Sequence, residues 1–182
     1  SGVYEDDVPV FRWCREDRAV RRRCVAAQLM VLADDISYSV QDVEDAVVGG
    51  HLDPGAARNG ATRSALVGIT RRWYLPQVSG DVIIAALDRL QGCSYWQHEY
   101  DGSRRAQAGL KHMTSQLIGR FAAAAESASR EECGYEPLSR YRGRLVVPEA
   151  TRIEIAVLKG LATMSVMVAE ERLRLQEIQQ EV

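Results

Sequence analysis

Lysine is nearly missing from this sequence. Of 23 basic residues only Lys111 and Lys159 are lysines, and the rest are arginines. A GC-rich genome alone would produce that bias, and it leaves any phosphate contact mostly to arginine. The net charge is only -2, so no strong field selects nucleic acid or a membrane surface as partner. No apolar run approaches the roughly 20 residues of a membrane helix, and no signal peptide is visible. The four cysteines form no CxxC pair and no zinc spacing, which predicts reduced thiols and a cytoplasmic protein. Histidine is scarce too, and none of His51, His98 and His112 is followed by aspartate. There is no nucleophile triad and no phosphate-cradling glycine loop.

What is present is a helical pattern. The chain has 182 residues, 46% of them apolar, enough for one domain with a sizeable core. Residues 1–18 read as an irregular lead-in. A long helix is predicted from about Val20 to Val48, with Val25, Leu29, Leu32, Ile36, Val40, Val43 and Val47 as its apolar stripe. Gly49-Gly50 end it. Shorter helices are expected over 63–73 and 80–90, the latter capped by Ser79. Residues 93–100 are aromatic and irregular. A further helix spans about 103–129, with Leu110, Leu117, Ile118, Phe121 and Ala125 inward. Leu145-Val146-Val147 reads as a strand, paired in a small hairpin with 138–141. The last helix runs from Glu149 almost to Val182, and its charged end suits solvent or another subunit. The expected fold is all-α, a single helical domain over 1–182, with at most one short β-hairpin near 138–147.

The long helix carries the chemistry. At about 100° per residue, Asp34, Tyr38, Gln41, Asp42 and Asp45 fall within an arc of about 100°, opposite the apolar stripe. Such a carboxylate stripe is most often a solvated face. Here, however, no Lys or Arg lies between Arg23 and Arg58. Asp34, Asp35, Asp42, Glu44 and Asp45 therefore have no local counter-charge, and like charges at i and i+4 repel by a few tenths of a kcal/mol. A bound cation would remove that repulsion.

The run Ala33-Asp34-Asp35-Ile36-Ser37-Tyr38-Ser39-Val40-Gln41-Asp42-Val43-Glu44-Asp45 resembles the dGTPase-like branch of the HD-domain phosphohydrolases, where it reads approximately A-D-D-x-x-Y-S-x-H-D-x-E-D. Weaker similarity continues through Leu110-Lys111 to Arg120-Phe121, Leu145-Val146-Val147-Pro148 and Leu158-Lys159-Gly160. The resemblance implies hydrolysis of a deoxynucleoside triphosphate to deoxynucleoside and triphosphate. It implies a divalent metal such as Mg or Mn held by a His, a His-Asp pair and a later Asp. By position Asp34 is that later Asp. Tyr38 and Asp42 would lie against the deoxyribose, with Asp42 accepting from the 3'-hydroxyl. Lys159 falls where family members place a basic residue near the triphosphate. Four residues rise ~6 Å along a helix face, so one turn can hold metal while the next reads the sugar.

The departures have consequences. Gln41 stands where the family has His, and Met167 where a tyrosine is common. Without a His-Asp dipeptide, three of the four expected metal ligands are missing. Either an HD-bearing portion precedes Ser1 in a longer parent, or the chain is a degenerate relative. The absence of an initiator Met favours the first. The chain alone is expected to be inactive, as the C-terminal part of a metal-dependent triphosphohydrolase. The competing expectation is a non-enzymatic helical module for oligomerisation or regulation. Expected partners are the deoxynucleoside triphosphate and a second copy of the chain. Arg21-Arg22-Arg23 could also meet single-stranded nucleic acid, although a solvated charge run is commoner. Lys159 has a surface lysine as its plainer reading, and His112 a structural or exposed histidine. Trp73-Tyr74 and Tyr95-Trp96 could stack on bases, but packing between helices is the safer expectation.

Overall fold

The computed structural model describes residues 3–15, 23–55, 59–134 and 143–180, with side chains as far as Met167. A 3-10 turn over Glu5–Asp7 leads into α1, Val8–Cys14. Then follow α2 (Val25–Val48), α3 (Gly60–Trp73), α4 (Gly80–Gln91), α5 (Arg104–Cys133) and α6 (Glu149–Gln180). No strand occurs among the described residues.

The core is organised around α6. Six consecutive residues, Ile153 to Leu158, are buried, Glu154 among them. A helix apolar on nearly every side has to sit inside. α2, α3 and α4 all pack on it, and α2 also packs on α5. Val157, Leu158 and Leu161 of α6 join one core cluster with Val40 and Val43, Leu66, Ile83 and Leu87, and Leu117 and Phe121. Each fully buried Leu or Phe is worth roughly 1.5–3 kcal/mol by apolar transfer. Closest approach falls where α3 crosses α6: a Cβ at Gly160 would overlap Thr70 Oγ1 and meet Leu66 Cδ1 at 3.0 Å.

Two ion-pair knots tie the helices laterally. Buried Glu154 of α6 accepts from Arg89 Nε of α4 at 2.8 Å and Arg120 Nη2 of α5 at 2.5 Å. Buried Glu44 of α2 accepts from Thr114 Oγ1 of α5 at 2.6 Å and pairs with Lys111 Nζ.

The sequence expectation needs correction at four places. The lead-in is not wholly irregular, because Pro9 sits in the first turn of α1 and pre-sets its backbone. α2 starts at Val25 rather than near Val20, because Cys24 is extended (φ -65°, ψ 161°). Leu29, assigned to the buried stripe, is 49% exposed beside exposed Met30 and Val31. Periodicity marks an apolar face, but packing decides which of its turns are covered.

The fourth correction concerns Leu145-Val146-Val147, which is not a strand. Its N–H groups bond to side chains instead: Leu145 N–H to Gln28 Oε1 at 3.1 Å and Val146 N–H to Ser129 Oγ at 2.9 Å. The expected partner at 138–141 lies outside the described residues. α5 runs past Ser129 to Cys133, where Gly134 (φ +77°) takes a conformation that ends it without strain. Asn59 and Ser103 cap α3 and α5 through their side chains, while Ser79 is extended but makes no capping bond.

Candidate functional site

α2 presents its carboxylates on the side away from Val40, Val43 and Val47, as its periodicity requires. Asp34 is exposed, and Tyr38 is 65% exposed one turn on. Asp42 is also exposed, and its pKa lies above the ordinary aspartate value. Partial burial penalises its charge most, and the neighbouring Asp45 carboxylate adds repulsion.

The counter-charge missing locally comes from other helices. Lys159 Nζ of α6 donates to Asp35 Oδ1 at 2.8 Å. Lys111 of α5 pairs with Glu44. Burial alone would raise the Glu44 pKa. The Lys111 and Thr114 hydrogen bonds, with the Lys111 charge, outweigh that and hold it below the usual glutamate range. Asp35 and Glu44 are therefore compensated, and the remaining acidic density lies at Asp34, Asp42 and Asp45.

Two cavities flank Lys159. One, of about 560 Å3, is lined by Asp42, Asp45 and His51 on one side and Lys159, Thr163 and Val166 on the other. The second, of about 380 Å3, takes Asp35 and Gln28 of α2, Arg152 and Lys159 of α6, and Leu145 and Val147 of the extended segment. Tyr74 lines both, and its hydroxyl hydrogen-bonds Thr163 Oγ1 at 2.8 Å. Lys159 and Tyr74 thus form the wall between the cavities. Of the four residues singled out from sequence, the structure brings Asp42 and Lys159 to one cavity. Asp34 and Tyr38 line neither and stand on the open face of α2 beside it.

Sequence reasoning missed His51 as a site residue and weighed Tyr74 only for base stacking or helix packing, not as a wall between cavities. After α2 the N–H groups of His51 and Leu52 both bond to the Ala46 carbonyl, at 2.9 and 3.0 Å. That turn folds the His51 ring back over Gly49, where a Cβ would meet its Cδ2 at 2.9 Å. The Gly49-Gly50 pair was the available signal, since a turn of that kind sends the next side chain back along the helix. Of the other aromatics, Trp96 is buried, in keeping with a packing role, but Trp73 is 63% exposed. His112 is exposed. Arg21 and Arg22 lie outside the described residues.

Among the described residues no three His, Cys, Asp or Glu side chains gather as a group able to hold a metal ion. Asp34 offers one carboxylate, whereas a catalytic divalent ion typically takes three protein ligands. These residues therefore do not build the metal site that the resemblance implies. All four cysteines are free. No described helix is long and apolar enough to cross a membrane.

Fold and site together define an all-helical protein in which a carboxylate-rich helix packs on a buried central helix, with cavities at their junction. The chain is 49% identical over 175 residues to a deoxyguanosinetriphosphate triphosphohydrolase-like protein of Streptomyces coelicolor, a match covering 96% of the chain and 41% of that relative. It is 41% identical over 170 residues to the like-named protein of Bifidobacterium longum, covering 93% of the chain and 36% of the relative. With the like-named protein of Corynebacterium diphtheriae the identity is 35% over 181 residues, covering 91% and 39%. The chain belongs to this dGTPase-like family and spans about two fifths of the length of the curated relatives it matches. No family model and no solved structure matches it.

Proposed function

We propose that the chain is one part of a dNTP triphosphohydrolase that releases deoxynucleoside and inorganic triphosphate, and that it supplies the sugar-reading side of the active site. The observation that carries this is the meeting of Asp42 and Lys159 at one cavity, from helices 117 residues apart in sequence by their numbering. A carboxylate that accepts from a ribose hydroxyl and a cation that attracts phosphate are the two groups a nucleotide needs at its two ends. From Asp35, Lys159's partner, to Asp42, α2 rises about 10 Å, in scale with a nucleotide. Tyr38, exposed between them, offers a ring face to the deoxyribose.

In this reading Asp34 is one metal ligand, and the remaining ligands belong to residues outside this chain. The isolated chain is then inactive. The test joins this chain to the part of the Streptomyces coelicolor relative that it does not span and measures triphosphate release from dNTPs with added manganese. Release is expected from the joined protein and not from the chain alone. The Asp34→Ala and Asp42→Asn variants of the joined protein are expected to lose most of it. Release by the isolated chain, or unchanged release by both variants, would end this reading.

A second reading, a non-enzymatic oligomerisation or regulatory module, draws support from α6. That helix continues to Gln180, well past Ser165, its last described buried residue. Sedimentation separates the two readings. A chain cut after Met167 that changes from multimer to monomer would favour assembly through α6.

A further inference from the structure

The open face of α2 changes character at Asp34. At about 100° per residue, Met30 and Val31 upstream and Tyr38 downstream all fall within about 60° of Asp34. Met30 is 67% exposed and Val31 41%, and Tyr38 is open as well. The face is therefore apolar for the turn before Asp34 and acidic beyond it, at Asp42 and Asp45. α5 and α6 pack against the other side of the helix, through Val40, Val43 and Val47. Among the described residues no cation pairs with Asp34, and it belongs to no group able to hold a metal ion.

We infer that this face is an interface, and that the portion of the parent protein bearing the other metal ligands docks across α2 on Met30, Val31 and Tyr38. The inference rests on the reading of Asp34 as one ligand of a shared site. The occupant is a polypeptide the family possesses, because the chain spans only 41%, 36% and 39% of three curated relatives.

Distance ties the apolar patch to the lone carboxylate. Bonds from a divalent metal to oxygen or nitrogen are about 2.0–2.2 Å, so any other ligand atom lies within roughly 4 Å of an Asp34 oxygen. A segment that close has to lie directly on α2, at roughly the 8–10 Å axial spacing of packed helices. Four residues rise ~6 Å, so Met30 and Tyr38 stand one turn to either side of the crossing. Completing the site and covering Met30 are then one event.

The same face defines the chemistry of its partner. Interface cores favour methionine and aromatic side chains and exclude unpaired charge. The docking surface is therefore apolar opposite Met30 and Val31. Opposite Asp34 it carries metal-ligating side chains, since a covered carboxylate needs a cation. A second copy of the chain fits poorly. A two-fold contact through this face would set the Asp34, Asp42 and Asp45 stripe against its own like charges.

The test uses the joined protein proposed for the activity assay and reads side-chain cover directly. Dilute hydrogen peroxide converts an exposed methionine to its sulfoxide, and mass spectrometry of the Met30 peptide follows the rate against free methionine in the same tube. In the isolated chain Met30 should oxidise readily, while Met113, 1% exposed, stays slow and reports an intact fold. In the joined protein Met30 should oxidise about tenfold more slowly, as its cover implies. Val31→Asp should leave the Tm of the isolated chain unchanged and return Met30 of the joined protein to the isolated rate.

Equal Met30 oxidation in the chain and the joined protein would overturn the inference. So would protection that survives Val31→Asp. Slow Met30 oxidation in an isolated chain that sediments as a dimer would also overturn it, by giving the face to a second copy. A joined protein that protects Met30 yet releases no triphosphate refutes the enzymatic reading alone. One that releases triphosphate with Met30 unprotected refutes the docking face alone.

Discussion

Gly160→Ala tests the packing that holds the site together. Gly160 lies on α6 next to Lys159, where α3 crosses. A methyl there would overlap Thr70 Oγ1 and meet Leu66 Cδ1 at 3.0 Å and Thr70 Cβ at 3.4 Å. Thr70 and Leu66 are both fully buried, so neither can swing into solvent. Against this, alanine in a helix interior gains up to about 1 kcal/mol over glycine. Overpacking a tight core costs about 1–3 kcal/mol. The steric term wins, and the net loss is about 1–2 kcal/mol, which lowers Tm by about 2–8 °C for a chain of this size. Thr70→Ala removes the hydroxyl that the new methyl would strike, and that hydroxyl has no hydrogen-bond partner to lose.

The double variant Gly160→Ala/Thr70→Ala should therefore recover at least about 1 kcal/mol relative to additivity. Thermal and urea denaturation of the four proteins measure the cycle. A higher Tm for Gly160→Ala alone, or strict additivity of the pair, would show that α3 and α6 do not touch at this point. The consequence reaches the site, because α3 ends next to Tyr74, whose bond to Thr163 builds the wall between the cavities.

Three further outcomes are expected. The folded pKa of Glu44 is lowered, so its contribution is complete above the unfolded glutamate pKa of about 4.3 and is lost as pH falls through the lower folded value. Glu44→Gln should accordingly flatten stability against pH across that acidic window, and an unchanged acid limb in denaturation curves would refute the Lys111–Thr114 pairing. Asp42 is the opposite case. Its folded pKa is raised, so its charge costs stability at neutral pH, and Asp42→Asn should raise Tm slightly at pH 7 with no gain below about pH 3.9; a clear loss of Tm at pH 7 would mean that Asp42 has a stabilising partner. Finally, Glu154→Ala leaves Arg89 and Arg120 without their shared carboxylate. Both arginines are partly exposed, so the loss should be about 2–3 kcal/mol, below the full cost for a buried pair, and a loss under about 0.5 kcal/mol in urea unfolding would remove this knot from the account.

The local features of the fold were legible. Apolar residues at steps of three and four located α2 to α6 to within a turn or so, because helix periodicity is written in neighbouring residues. The glycine pair at 49–50 follows the same local chemistry, whereas the cap at Asn59, ahead of the expected start of α3 at 63, was not read. The stripe of Asp34, Tyr38, Asp42 and Asp45 could be placed on one face for that reason, and the family that the run suggested is the one whose name the relatives carry.

What the sequence alone could not decide was which surfaces meet. The absence of basic residues from 24 to 57 implied uncompensated acids, yet Lys159 neutralises Asp35 across 124 positions and Lys111 reaches Glu44 from α5. Leu29 matched the stripe but remained uncovered, and Leu145-Val146-Val147 had strand composition but found Gln28 and Ser129 instead of a strand. His51, Tyr74 and Arg152 became cavity residues only when α2, α3 and α6 packed together. Composition and period fix the faces of a helix, because they act within a few residues. The partner of each face depends on interlocking side chains far apart in the chain, such as Thr70 against Gly160, and that is settled only in the packed molecule.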